Sequence, residues 1–187
     1  MRIIAGQFRS RRLHSLRGLD IRPTSDRLRE TLFDVLTAGN PHALAGTVWV
    51  DFYAGTGAVG IEAVSRGAGT VYFVESSRHP VEVIRENLGE LGVESGVRVL
   101  LRDASAAIAE LEREGVRADY VFLDPPYRMR AAYGTTLARL AASVLAENAF
   151  VIAEHEKKFD PGETFGKLRR TRKLEQGDAA LSFYRAG

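Results

Sequence analysis

A single α/β domain built on a mostly parallel sheet is the fold class this sequence predicts, on three observations. From residue 47 onward, apolar runs of strand length alternate with segments of helical periodicity. A glycine-rich turn, Gly55-Thr56-Gly57-Ala58-Val59-Gly60, joins the first such run to the first such helix. Asp124-Pro125-Pro126-Tyr127 directly follows the apolar run Tyr120-Val121-Phe122-Leu123. Prolines cannot continue a central strand, so the chain must leave the sheet there. At 187 residues, 45% hydrophobic and 27% charged, the chain suits one domain with a sizeable core.

The elements follow in order. Residues 2–5 and 11–16 read as two short strands joined around Gly6 and Ser10, and residues 1–22 form a basic hairpin extension ahead of a domain at 23–187. Thr24 or Ser25 caps a helix whose apolar positions Leu28, Leu32, Val35 and Leu36 recur at helical spacing, ended by Asn40-Pro41. Strand 47–53 precedes the glycine turn and a helix over 58–66 that Gly67 stops. Strand 70–74 follows. Pro80 at a first helical position opens a helix with Val81, Ile84, Leu88 and Leu91 on one face, ended by Gly92. Strand 97–101, helix 105–113, strand 120–123, helix 135–145 and strand 150–153 continue the alternation. Strands 168–174 and 180–185, joined around Gly177, give an antiparallel final pair and a sheet of seven strands. Apolar strands of this kind are covered by helices on both faces, and ligands bind beyond their carboxyl ends.

Composition narrows the function classes. Without cysteine there is no disulfide, thiolate nucleophile or cysteine-ligated metal, which fits a reducing cytoplasm. No apolar run approaches the roughly 20 residues that span a bilayer, and the opening Met1-Arg2-Ile3-Ile4-Ala5-Gly6 breaks off before a signal peptide's apolar region. The net charge is only +2, but residues 1–30 hold eight arginines against three acids, leaving the other 157 residues at −3. A second basic cluster is Lys167, Arg169, Arg170, Arg172 and Lys173. Two basic ends around an acidic middle fit either a polyanion footprint or two solvated surfaces.

Gly55, Gly57 and Gly60 match G-x-G-x-x-G, and Glu75 ends the next strand 20 residues after Gly55, a spacing that suits a carboxylate on ribose hydroxyls. That match alone fits a nicotinamide or flavin dinucleotide equally well. Asp51 tilts the balance, because a carboxylate at the strand end would repel a pyrophosphate but attract the ammonium and sulfonium of S-adenosylmethionine. Tyr53, Ala54, Thr56, Ser76 and Ala104 flank this pocket, and Asp103 can accept from an adenine amino group. The competing reading is that Asp51, Glu75 and Asp103 merely cap the following helix or turn.

Asp124-Pro125-Pro126-Tyr127 supplies what methylation of a conjugated amine needs. The nitrogen lone pair is delocalised into the ring and must be turned toward the methyl group. A carboxylate at Asp124 and the Pro125 carbonyl, held rigid by Pro126, accept both N–H bonds, and Tyr127 stacks on a flipped or unpaired base. As a bare turn after a strand, the same tetrapeptide would carry no chemistry.

The (D/N)-P-P-(Y/F) tetrapeptide behind an acid-plus-glycine loop resembles amino-methyltransferases acting on adenine, cytosine, guanine or a protein glutamine. Arg2-Ile3-Ile4-Ala5-Gly6-Gln7-Phe8-Arg9 with Arg11-Arg12-Leu13, then Arg22-Pro23-Thr24-Ser25-Asp26-Arg27-Leu28-Arg29-Glu30-Thr31-Leu32-Phe33, and the closing Leu181-Ser182-Phe183-Tyr184, resemble the RsmD-type family. The chain departs from that family at Ala5, where glycine is usual. The resemblance implies a Rossmann-like class I methyltransferase using S-adenosyl-L-methionine on the N2 of one guanine, number 966, of 16S rRNA. It also implies action on the assembled 30S subunit, without an obligate protein partner and as a monomer. Asp51 to Gly57, Glu75, Asp103 and Asp124 would then form the cofactor pocket, and Asp124 to Tyr127 would hold the guanine. Arg2, Arg9, Arg11, Arg12, Arg22 and Arg27, with Arg128 and Arg130, would contact RNA. The rival readings are an N6-adenine methyltransferase on DNA or RNA, a nicotinamide-dependent oxidoreductase, and a non-catalytic RNA-binding protein. Trp49 reads as core, and His14, His42, His79 and His155 lack ligand spacing, so no metal is expected. His155 and Tyr133 are weaker candidates for the cleft and for a closing loop.

Overall fold

The computed structural model describes residues 1–16 and 25–187. Arg17, Asp20, Arg22 and Thr24 lie outside the described residues, so the placement of Arg22 as an RNA contact and of Thr24 as a cap is not addressed by it.

Among the described residues five helices and eight strands follow in order: α1 (Asp26–Leu36), β1 (Val48–Phe52), α2 (Ala58–Ser65), β2 (Thr70–Glu75), α3 (Arg78–Glu90), β3 (Val97–Leu101), α4 (Ala104–Arg113), β4 (Ala118–Leu123), α5 (Arg130–Ala142), β5 (Leu145–Glu156), β6 (Thr164–Phe165), β7 (Leu168–Gln176) and β8 (Ala179–Ala186). One sheet holds all eight strands in the order β3-β2-β1-β4-β5-β8-β7-β6. The first five run parallel and the last three pair antiparallel. The chain steps outward from β1 to β3, then returns to the other side of β1 with β4. The order therefore reverses between β1 and β4, which opens a crevice beyond their carboxyl ends.

Side-chain alternation divides the core between the two faces. Val50, Val121 and Val151 point toward α4 and α5, meeting Ile108, Leu111, Leu137 and Leu140. Trp49, Phe73 and Phe122 point toward α1, α2 and α3, meeting Leu32, Phe33, Ile61 and Ile84. Trp49 is fully buried, as expected, in a row of stacked rings running Phe33, Trp49, Tyr120, Phe150 with centroids 5.4, 5.6 and 5.7 Å apart. No helix among the described residues is long and apolar enough to cross a membrane.

Several boundaries differ from the sequence reading. Ser25 caps α1, its Oγ accepting from the Leu28 N–H at 3.1 Å, but the helix ends at Leu36, ahead of Asn40-Pro41. Pro80 is the third residue of α3, not the first, still among positions whose N–H lacks a helical acceptor. The last helix begins at Arg130, and Leu145 already belongs to β5, whose partner there is Ala118. An eighth strand, the two-residue β6, adds to the seven expected. The two N-terminal strands reduce to a single antiparallel bridge between Arg2 and Arg12. The hairpin pairing itself is present, Ile3 donating to the Arg11 carbonyl at 2.9 Å and Leu13 to the Met1 carbonyl at 3.1 Å. It stays short because Ile4 and Ala5 donate to the two Glu62 carboxylate oxygens at 2.8 and 2.9 Å and Gln7 donates to the Ser65 carbonyl.

Candidate active site

The crevice between β1 and β4 is a cleft of about 970 Å³. Asp51, near the end of β1, is 1% exposed and accepts the Gly60 N–H at 2.9 Å, tying the strand end to the first turn of α2. Only glycine fits at position 60, because a Cβ there would lie 2.4 Å from the Phe73 ring. Gly57 takes φ +83° as the residue capping α2, which favours glycine for its backbone alone. Tyr53, at φ +60°, occupies the same left-handed region without being glycine, and its hydroxyl lies 3.2 Å from Thr136 Oγ1 on α5. Glu75 ends β2 and accepts from the N–H groups of Gly55 at 3.0 Å and Ser77 at 2.8 Å, so it braces the glycine turn against the start of α3. Asp103 caps α4 by accepting the Ala106 N–H at 2.8 Å through Oδ1, which leaves its other oxygen outside the cap. Capping and a place on the cleft wall are thus compatible in one residue.

Asp124 follows β4 and is crowded by acids. Burial first, then the charges of Glu154 and Asp51, push its carboxyl well above the usual carboxylate range. Asp51 is pushed up to about 7 by burial and by Glu75, against the opposing Gly60 hydrogen bond. Without a counter-charge these carboxylates hold protons more tightly, so the cleft favours a cationic ligand and disfavours a pyrophosphate. Behind the tetrapeptide, Tyr133 on α5 donates from its hydroxyl to the Glu154 carbonyl at 2.8 Å and lies 3.4 Å from the Pro125 carbonyl. The Met129 N–H donates to the Pro126 carbonyl at 2.7 Å and tightens the turn.

Most of the sequence-predicted residues meet here. Asp51, Tyr53, Ala54, Gly55 and Thr56 line the cleft from the first turn; Glu75, Ser76, Asp103 and Ala104 line it from the next two strand ends. Asp124, Pro126, Tyr127 and Arg128 complete it from β4. Gly57 and Pro125 shape the turns without reaching the wall. The α5 side of the wall (Ala132, Thr135, Thr136 and Arg139) escaped the sequence reading. Their three- and four-residue spacing is the available signal, but only Ala132 precedes the helix expected at 135–145, and nothing in the sequence turns this face of the helix toward the cleft.

The remaining candidates lie elsewhere. The turn after Arg2 carries Arg9, Arg11 and Arg12 at the carboxyl ends of α2 and α3, where Arg11 donates to the Glu90 carbonyl at 2.8 Å. Arg27 is exposed on α1. Arg130 pairs with Glu156 at 3.1 Å and covers the Phe159 ring instead of facing the cleft. His155 is fully buried, bonded to Ser182 Oγ and the Glu156 carbonyl, and does not line the cleft. Tyr133 is a buried helix residue and not part of a closing loop.

Residues 1–185 match the family described as Conserved hypothetical protein 95. The Bacillus subtilis protein YlbH is 33% identical over 187 residues, which cover 99% of this chain and 98% of that one. The ribosomal RNA small subunit methyltransferase D of Escherichia coli is 33% identical over 156 residues, covering 83% of this chain and 75% of the relative. Among solved structures, the Escherichia coli protein yhhF superposes with a TM-score of 0.81 at 32% identity, over 100% of this chain and 97% of that one.

Proposed function

This chain belongs to the RsmD-type methyltransferase family, and on that premise we propose that it transfers a methyl group from S-adenosyl-L-methionine to the exocyclic N2 of a guanine in 16S rRNA, the family's guanine 966. Its substrate is the assembled small subunit, and it acts in the cytoplasm as a monomer. The observation that carries this reading is the ring of carboxylates at successive strand ends, Asp51, Glu75, Asp103 and Asp124, closing on one cleft with Pro126 and Tyr127.

The donor set fits a cationic nucleoside. Asp51 and the glycine turn would hold the charged methionine part, Glu75 the ribose and Asp103 the adenine amino group. When bound, that ligand supplies an electrophilic methyl group on its sulfonium. The chain's own residues orient the acceptor. Asp124 accepts an N–H bond of the guanine amine and the Tyr127 ring stacks on the base, on a turn whose Pro125 carbonyl the Tyr133 hydroxyl holds from behind. Asp124, or solvent at the cleft, would take the proton that the amine nitrogen gives up on accepting the methyl group. Arg128 on the cleft rim, with Arg9 and Arg12 on the N-terminal turn, contacts RNA phosphates.

The test incubates the protein with methyl-labelled S-adenosylmethionine and unmethylated small subunits, then digests the RNA and identifies the labelled nucleoside. Label in N2-methylguanosine is the expected outcome; label on adenosine would replace this reading with the N6-adenine alternative. Asp124→Ala should lose at least about 100-fold in turnover with its thermal unfolding transition kept, since removing one oriented electrostatic partner costs on that order. Full activity in that variant would remove Asp124 from the mechanism.

A further inference from the structure

The second basic cluster of the sequence is split by the sheet into two populations. Arg170 is inward and spent: it pairs with Asp160 at 2.6 Å and Glu163 at 3.1 Å. Lys157 and Lys173 share Glu175 at 3.1 and 3.5 Å. Arg169, Arg172 and Arg185 are exposed, and none of the three has an ion-pair partner among the described residues.

Register places these three on one face. Arg169 lies directly opposite Arg185, and Arg172 opposite Phe183, across the β7–β8 ladder. Arg185 in turn lies opposite Phe150 of β5, and its guanidinium sits 3.9 Å over that ring. Phe150 and Phe183 belong to the core cluster packed against α1, so all three arginines share the α1 side of the sheet. At the cleft end of β7, Gln176 accepts from the Thr31 hydroxyl of α1 at 3.0 Å, and exposed Arg27 stands one helical turn before Thr31. Arg172 and Arg169 lie four and seven residues down the strand, about 13 and 23 Å from that end.

Like charges directly opposite one another on a ladder destabilise it. Charged side chains do protect edge strands from wrong pairing, and β7 is paired with β6 only at Leu168 and Arg169. That explanation does not reach Arg185, because β8 is an interior strand between β5 and β7. Arg185 is held in place by the Phe150 ring, facing another arginine, where an anion would relieve both charges.

We propose that the arginine face of β7 and β8, continued toward the cleft by Arg27, is a second RNA-binding surface that grips phosphodiester groups of the ribosomal RNA outside the target nucleotide. It rests on the RNA methyltransferase reading and adds a contact surface on a different flank from the N-terminal turn. Bound there, the backbone loses its condensed counterions, so the surface contributes affinity and salt dependence without base specificity.

The experiment compares wild type with Arg169→Gln/Arg172→Gln, using protein-free small-subunit ribosomal RNA and unmethylated small subunits as probes. The expected result is a dissociation constant raised about 10-fold for both probes near 0.15 M salt. The log–log salt slope should shrink by about 1.4 to 1.8, or 0.7 to 0.9 per lost contact. S-adenosylmethionine affinity and kcat at saturating RNA should be unchanged, and the thermal transition equal or higher, because repulsion is removed. Arg78→Gln/Arg85→Gln, an equal charge change on exposed α3 positions, should leave the slope near wild type. Wild-type affinity and slope in the β7 variant would overturn the proposal while leaving the methyltransferase reading standing. Loss confined to assembled subunits would also overturn it, making the surface a protein-docking face. Absence of RNA binding and methylation by the wild type itself would instead sink the reading on which it rests.

Discussion

Asp51 has two opposing effects, and pH separates them. Its carboxyl is pushed up to about 7 because burial and Glu75 outweigh the single Gly60 hydrogen bond. An acid whose folded-state value is raised contributes stability that is full below its unfolded value near 3.8 and is lost as pH rises through about 7. The ligand-free protein therefore loses roughly 4 kcal/mol from this group between pH 4 and pH 8. A cationic ligand needs the ionised form, so its affinity should fall about 10-fold per pH unit below 7 and level off above it. Asp51→Asn keeps an acceptor for the Gly60 N–H but removes the charge. At pH 8 it should raise the Tm of the ligand-free protein by roughly 10 °C while weakening S-adenosylmethionine binding at least about 10-fold. Calorimetric titration and thermal melts at pH 6, 7 and 8 check both. A pH-independent affinity would mean that Asp51 does not face the positive charge.

Elements show which parts of the molecule their sequences announced. The strands β1 to β4 and the helices between them are legible because apolar runs, glycine stops and acid-ended strands agree with one another. The Ser25 cap was legible for the same reason, since a short polar side chain immediately precedes an amphipathic run. Helix α5 was not: Gly134 and weak amphipathicity blur its start, so its first turn, with the buried Tyr133, read as loop. The N-terminal hairpin is legible but its strands are shorter than the sequence suggests, because alternation does not reveal that Glu62, 58 residues away, takes two of the backbone donors. Only the three-dimensional arrangement shows what α5 does. It presses the Tyr133 hydroxyl between the carbonyls of Glu154 and Pro125, and so holds the tetrapeptide from behind. Tyr133→Phe leaves the ring packed on Phe159 but loses the hydroxyl. It should destabilise the protein by about 1 kcal/mol. It should also lower kcat about 10-fold with the S-adenosylmethionine KM unchanged, since a loosened turn misplaces the acceptor amine. Steady-state kinetics against both substrates test this, and an unchanged kcat would show that the prolines alone fix the turn.

At the scale of the whole molecule, α2 joins the cleft to the N-terminal segment. Its amino end carries the glycine turn of the cleft, and its buried Glu62 and Ser65 anchor the N-terminal segment. Glu62 also pairs with Arg66 at 2.8 Å and with Arg29 at 3.8 Å, Arg29 and Glu62 both being fully buried. Arg29 in turn donates to the Arg2 carbonyl and to Asp26 at 2.9 Å. Glu62 and Asp26 together thus balance the Arg29 and Arg66 guanidiniums, and Glu62 also satisfies two backbone donors, joining α1, α2 and the N-terminus beside the apolar contacts of Ile3 and Leu13. Such a junction is specific but vulnerable, because removing one charge strands the other. Glu62→Gln keeps the shape and one acceptor oxygen but leaves buried Arg29 with Asp26 as its remaining carboxylate and Arg66 without one among the described residues. The expected loss is about 3 to 5 kcal/mol in denaturant unfolding, larger than the variant's modest change in volume would give. The basic turn should detach before the sheet melts, exposing Arg9, Arg11 and Arg12 to trypsin under conditions where the wild type resists cleavage. Arg29→Met/Glu62→Gln, which removes both charges but keeps an acceptor oxygen for the N-terminal backbone, should recover part of the stability lost by Glu62→Gln alone. If the single and double variants were equally destabilised, packing and not the charge junction would hold the N-terminal segment on α2.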